Sequence, residues 1–97
     1  MKRDQALATL RTERDRLRRD YGIKSLALFG SVARDEATAA SDLDLLVEFD
    51  RPTGLLGLFA LQEHLERLLG CPVDLGTPAS LKPRIRQRVL AEAVYVN

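Results

Sequence analysis

Apolar and polar residues alternate most regularly between Asp42 and Phe49. Leu43, Leu45, Val47 and Phe49 fall on one side of an extended chain, and Asp42, Asp44, Leu46 and Glu48 on the other. This predicts a strand with one core face and an opposite face that begins as an acidic ledge. Lys24 to Phe29 reads as a shorter buried strand ended by Gly30-Ser31. A third strand, Val73-Asp74-Leu75, lies between Pro72 and the Gly76-Thr77-Pro78 turn, and Val94 to Val96 reads as an edge strand.

Helical spacing fills the intervals. Leu7, Leu10, Leu17 and Tyr21 predict a helix over Asp4 to Tyr21, with Asp4 as N-cap and Gly22 as its stop. Ser31 is placed to cap a helical turn running through Ala37, and Thr38 to Ser41 form a polar turn into the acidic strand. Leu55, Leu58, Phe59, Leu61, Leu65, Leu68 and Leu69 make a strongly apolar stripe, which predicts the main core helix, ended by Gly70-Cys71-Pro72. Ser80 can cap a last helix with Pro83 in its first turn and Leu81, Ile85 and Val89 on its buried side. Strands and helices interleave in a single α/β (α+β) unit.

A chain of 97 residues is enough for one small core, so residues 1–97 are read as one domain. The net charge of +1 supplies no bulk attraction to nucleic acid or membrane, so recognition must be local. No apolar run has the length of a membrane span, and Met1-Lys2-Arg3-Asp4 leads into a charged helix and not a signal-peptide core. Cys71, the single cysteine, can form no internal disulfide or thiolate cage, and a reducing, cytoplasmic setting is expected. In the first helix Arg11, Arg14, Arg16, Arg18 and Arg19 interleave with Glu13, Asp15 and Asp20, which reads as a solvated, ion-paired face. His64 has no histidine or cysteine neighbour at ligand spacing and reads as a surface or boundary residue. Lys82, Arg84, Arg86 and Arg88 crowd the last helix with little compensating acid, which suits an anionic partner or a solvated face.

Chemistry concentrates elsewhere. At i and i+2 in a strand, Asp42 and Asp44 point to one face, where like charges repel unless a cation lies between them. If the third strand pairs beside the second, Asp74 joins the same ledge. Three converging carboxylates suit Mg²⁺, a hard ion that leaves positions for water and substrate phosphates. Gly30 permits close backbone approach, and Ser31 adds a hydroxyl and free N–H groups, together a cradle for phosphate oxygens.

Gly30-Ser31-x-Ala33-Arg34, seven intervening residues from Asp35 to Ser41, Asp42-x-Asp44-Leu45 and the later Val73-Asp74-Leu75 agree in order and spacing with one family. In these motifs, and in Thr77-Pro78-x-Ser80-Leu81-Lys82-Pro83, the chain resembles the minimal nucleotidyltransferases of the DNA polymerase beta superfamily over nearly its whole length. The resemblance implies a mixed three- to four-stranded sheet with helices packed mainly on one face. It implies that Gly30, Ser31 and Arg34 bind nucleotide. Asp42, Asp44 and Asp74 would be catalytic and hold Mg²⁺, two ions when nucleotide is bound, with Asp74 also the candidate base. One departure follows Arg34, where many relatives carry glycine and this chain has Asp35.

Such proteins resemble the antitoxin half of toxin–antitoxin pairs whose partner is a helical HEPN-type ribonuclease. The implied reaction moves AMP from ATP to a tyrosine hydroxyl of that toxin, and nucleic acid enters only through the toxin. A chain of this size has little left to enclose an adenine ring, so a partner or second copy is expected to complete recognition. Two other readings compete: a binding module that neutralises its partner without chemistry, and a nucleotidyltransferase acting on a small molecule or RNA end.

Overall fold

A computed structural model describes residues 1–36, Thr38 and 42–96. In chain order the elements are α1 (Arg3–Thr12), α2 (Arg14–Tyr21), β1 (Ile23–Phe29), α3 (Gly30–Ala33), β2 (Leu43–Phe49), α4 (Leu55–Leu69), β3 (Val73–Gly76), a 3₁₀ turn at Pro78–Ser80, α5 (Pro83–Glu92) and β4 (Val94–Tyr95). The strands form one mixed sheet in the order β3-β2-β1-β4. β1 is antiparallel to β2 and β4, and β2 is parallel to β3, the crossover being made by α4.

The alternation in β2 sets the layers. Leu43, Leu45 and Val47 are buried, and register places Leu28 opposite Leu45 and Leu26 opposite Val47, so these five share a face. Leu7, Leu10, Leu17, Leu61, Leu65 and Leu69 join them in a single core under α1, α2 and α4. On the reverse face Phe29, Ala27 and Ser25 stand opposite Asp44, Leu46 and Glu48. There α5 packs across β1, so the helices do lie mainly on one face, with one exception. No helix of the described residues is long and apolar enough to cross a membrane.

Several expectations change. The first helix is broken at Glu13, and its cap is Lys2 with Asp4 inside the first turn. Between Leu10 and Leu17 every residue is polar, so nothing anchors the middle, and Thr12 Oγ1 donates to the Ala8 carbonyl at 2.9 Å, a back-bond that bends helices. The ion-paired face is present, for example Arg16 to Glu13 at 3.6 Å, but Arg11 instead donates to the Val96 carbonyl at 2.9 Å and pins the end of the sheet.

The apolar stripe of α4 is only partly core. Leu61, Leu65 and Leu69 are buried, whereas Leu55, Leu56 and Phe59 in the first turns are exposed. α5 contains no buried residue, and Ser80 belongs to the 3₁₀ turn, its hydroxyl donating to the Thr77 carbonyl at 2.7 Å. Pro83 opens α5, where its missing N–H costs nothing. Arg86 is taken up internally, donating to the Pro78 carbonyl at 3.1 Å and the Leu81 carbonyl at 3.0 Å. His64 sits at the boundary, its ring 5.2 Å from that of Tyr21.

Candidate active site

The site is built at one end of the β1–β2–β3 surface. Asp42 directly precedes β2 and is exposed; Asp44, two residues on, is half-buried and points to the same side. Parallel register sets Asp74 of β3 directly opposite Asp44. Neighbouring strands lie about 4.8 Å apart, so their carboxylates project side by side. β3 is an edge strand and Asp74 is exposed, open to a molecule approaching from outside.

On the other flank β1 ends at Phe29, opposite Asp44, and the chain turns into α3 at Gly30. Gly30 has φ +73°, and a Cβ there would fall onto Asp44 Oδ2 and lie 3.1 Å from Asp44 Cγ. Only glycine lets the backbone pass so close to this carboxylate. The expectation for Ser31 changes: α3 starts one residue earlier, with Phe29 at the cap position, so Ser31 is a first-turn residue and not a cap. α3 also stops at Ala33; Ala37 and the turn residues Ala39, Ala40 and Ser41 lie outside the described residues. A helix of four residues carries little macrodipole, so what Gly30 and Ser31 can offer an anion is their own N–H groups and hydroxyl.

Negative charge at the ledge is only partly compensated. The Asp44 carboxyl is raised above its ordinary value of 3.8, first by burial, then by the neighbouring charges of Asp74 and Asp42, with partial relief from Arg34. Arg34 is therefore close enough to act on Asp44. Its side chain is held from behind, with Nε 3.3 Å from Glu36 Oε2 and Nη1 3.5 Å from Glu92 Oε2. Glu92 lies at the end of α5, and no periodic signal in the sequence marks it as a partner of Arg34.

Among the described residues no three acidic, histidine or cysteine side chains close into a preformed metal cage. The ledge is nonetheless suited to a hard divalent cation: it offers oxygen donors, an excess of negative charge, and space kept clear by Gly30. Asp35 does not act on Asp44. It is exposed and adopts φ 59°, the only positive value outside glycine among the described residues. The position asks for a left-handed backbone, which aspartate tolerates better than most residues.

Comparison with known proteins agrees with this geometry. A family model described as a nucleotidyltransferase domain matches residues 10–96. The protein adenylyltransferase MntA of Thermococcus cleftensis is 44% identical over 87 residues, covering 90% of this chain and 88% of that protein. A solved structure described as a candidate minimal nucleotidyltransferase superposes with TM-score 0.81 at 41% identity, covering 97% of this chain and 95% of that one. A Shewanella oneidensis MNT antitoxin, solved in complex with its tri-AMPylated HEPN toxin, superposes with TM-score 0.67 at 20% identity over 94% of this chain and 71% of that one, a likeness of fold. The chain belongs to the nucleotidyltransferase domain family and is a nucleotidyltransferase.

Proposed function

We propose that this protein is the antitoxin of a HEPN/MNT pair and transfers AMP from ATP to a tyrosine hydroxyl of its partner toxin. The observation that carries the reading is the juxtaposition at Asp44: Gly30 passes against its carboxylate on one side and Asp74 stands in register on the other. The adenylyltransferase relative and the AMPylated toxin complex support the choice of AMP and of a protein acceptor.

In this account Gly30 and Ser31 receive the terminal phosphates and Arg34 offsets their charge. Asp42, Asp44 and Asp74 hold divalent metal, with Mg²⁺ the natural choice for carboxylates that share their ion with substrate phosphates. A divalent ion held by these carboxylates would supply charge to neutralise the triphosphate and polarise the α-phosphate. The tyrosine oxygen forms a bond to the α-phosphorus while the bond to the bridging oxygen of the β-phosphate breaks. The tyrosine proton passes to Asp74, and pyrophosphate leaves. Asp74 suits this role because it stands on the open edge of the sheet, where an acceptor carried by another protein can reach it. The pair is expected in the cytoplasm.

The exposed apolar residues Leu55, Leu56 and Phe59 favour one second reading, neutralisation by complex formation alone. Incubation of this protein with labelled ATP, Mg²⁺ and the toxin separates the two. Transfer is expected with the wild type and not with Asp44→Asn; an Asp42→Asn variant that still neutralises without transfer would establish the binding reading.

A further inference from the structure

The outer face of α4 changes character halfway along. Opposite the buried stripe of Leu61, Leu65 and Leu69, the first turns carry Leu55, Leu56 and Phe59, which are 69%, 85% and 57% exposed. Ala60 beside them is exposed too, and no polar residue interrupts the run from Leu55 to Leu61. The later turns carry Glu63 and Arg67, paired with each other at 3.8 Å. Three large side chains at these exposures present on the order of 400 Å² of apolar surface, within the range where the largest patch of a monomer serves binding.

Charge decides the occupant. Each end of the patch carries one acid and one base: Asp50 and Arg51, 3.5 Å apart, precede the helix, and Glu63 and Arg67 follow the apolar turns. A rim with no net charge gives no attraction to anionic lipid or to the phosphates of nucleic acid. It does fit a rim of the same make. When two copies of α4 lie antiparallel about a two-fold axis, the Glu63–Arg67 end of one meets the Asp50–Arg51 end of the other, and acid can face base on both sides. All four side chains are more than half exposed, so their pairing within the chain is weak and free to exchange partners. An axis level with the midpoint of Leu56 and Phe59 sets each of these against the other across the contact, with Glu63 about 8 Å further along the helix.

We propose that the first turns of α4 are a self-association surface, covered by the same turns of a second copy of this chain with Leu56 packed on Phe59 across a two-fold axis. The patch supplies about half of the roughly 800 Å² per partner that a standard interface buries, so the dimer dissociates on dilution. The contact lies on the side of the sheet covered by α1, α2 and α4, whereas Asp44 and Asp74 stand on the reverse face, so pairing leaves both acidic ledges open. The patch thus has an occupant other than the toxin, and the transferase reading does not depend on it.

Sedimentation of the full chain alone, over concentrations from about 5 to 500 µM, tests this without ATP or toxin. The wild type should pass from monomer toward twice that mass as concentration rises. Leu56→Glu sets a carboxylate against Phe59 of the other copy and should weaken association at least about tenfold. In the monomer the same change is benign. Position 56 is 85% exposed and lies in the first turn of α4, which holds no acid and where a carboxylate favours the helix; melting curves check this. Tyr95→Thr, which removes an exposed ring from β4 on the far edge of the sheet, should associate as the wild type does. A wild type that stays monomeric throughout overturns the proposal, as does a Leu56→Glu variant that associates equally well. If the wild type is monomeric and Leu56→Glu loses binding to the toxin, the patch belongs to the toxin and the second copy is ruled out, while the transferase reading stands.

Discussion

Replacing Gly30 by alanine separates two costs that the structure allows to be worked out. The first is backbone: φ is +73°, and a left-handed L-residue costs about 1–2 kcal/mol. Stiffening of the unfolded chain by alanine returns about 0.4–1 kcal/mol, which leaves a net loss of about 1 kcal/mol. For a domain of this size that is a fall in Tm of about 4–8 °C. The second cost is at the site. The new methyl group cannot coexist with Asp44 Oδ2, and its 3.1 Å approach to Asp44 Cγ forces the whole carboxylate aside. A displacement of about 1 Å in a catalytic group costs about a hundredfold in rate. Gly70→Ala is the matched control, because Gly70 has φ +71° and nothing within 4 Å of the added methyl. Thermal melts and transfer of labelled AMP should show Gly30→Ala destabilised at least as much as Gly70→Ala, with Gly70→Ala fully active and Gly30→Ala about a hundredfold slower. Equal activities in the two variants would refute the argument that Gly30 is there to make room for Asp44.

Other outcomes follow from the same geometry. Because the native state raises the Asp44 carboxyl above 3.8, it binds the proton more tightly than the unfolded chain, so this group's contribution to stability falls as pH rises through its titration. Asp44→Asn should therefore melt above the wild type at neutral pH, and the gap should close as pH falls through that range; a lower Tm at neutral pH would contradict the repulsion. At Asp35, valine should lower stability by about 1–2 kcal/mol relative to aspartate while glycine does not, as denaturant unfolding would show. Arg11→Met loses the bonds at 2.9 and 3.3 Å to the Val96 and Tyr95 carbonyls, and should cost about 1–3 kcal/mol and speed amide exchange at Val96.

The sheet and the acidic ledge were legible because strand periodicity is strict. Asp42 and Asp44 share a face for the same reason that Leu43, Leu45 and Val47 share the core, and Asp74 joins them once β3 pairs in register. Contacts between distant residues carry no such period. Nothing in the spacing says that Gly30 lies against Asp44, or that Glu92 reaches Arg34. Helix amphipathicity misleads where a helix outruns the surface it packs on. Leu55 and Phe59 fit the stripe of α4 and are exposed all the same, and Ile85 fits that of α5 and lines a groove. The sequence places Asp35 next to Arg34 without showing its backbone angle, and the left-handed φ of 59° is visible only in the structure.

The central claim is that the carboxylates beside Gly30 move AMP onto the partner. Incubating the protein and its HEPN-type partner toxin with α-labelled ATP and Mg²⁺, with Asp44→Asn in parallel, tests it most directly. The account predicts label on a tyrosine of the partner, pyrophosphate released in equal amount, and neither with the variant. Co-purification of the two proteins with no label transferred, or label that persists in the variant, would contradict it.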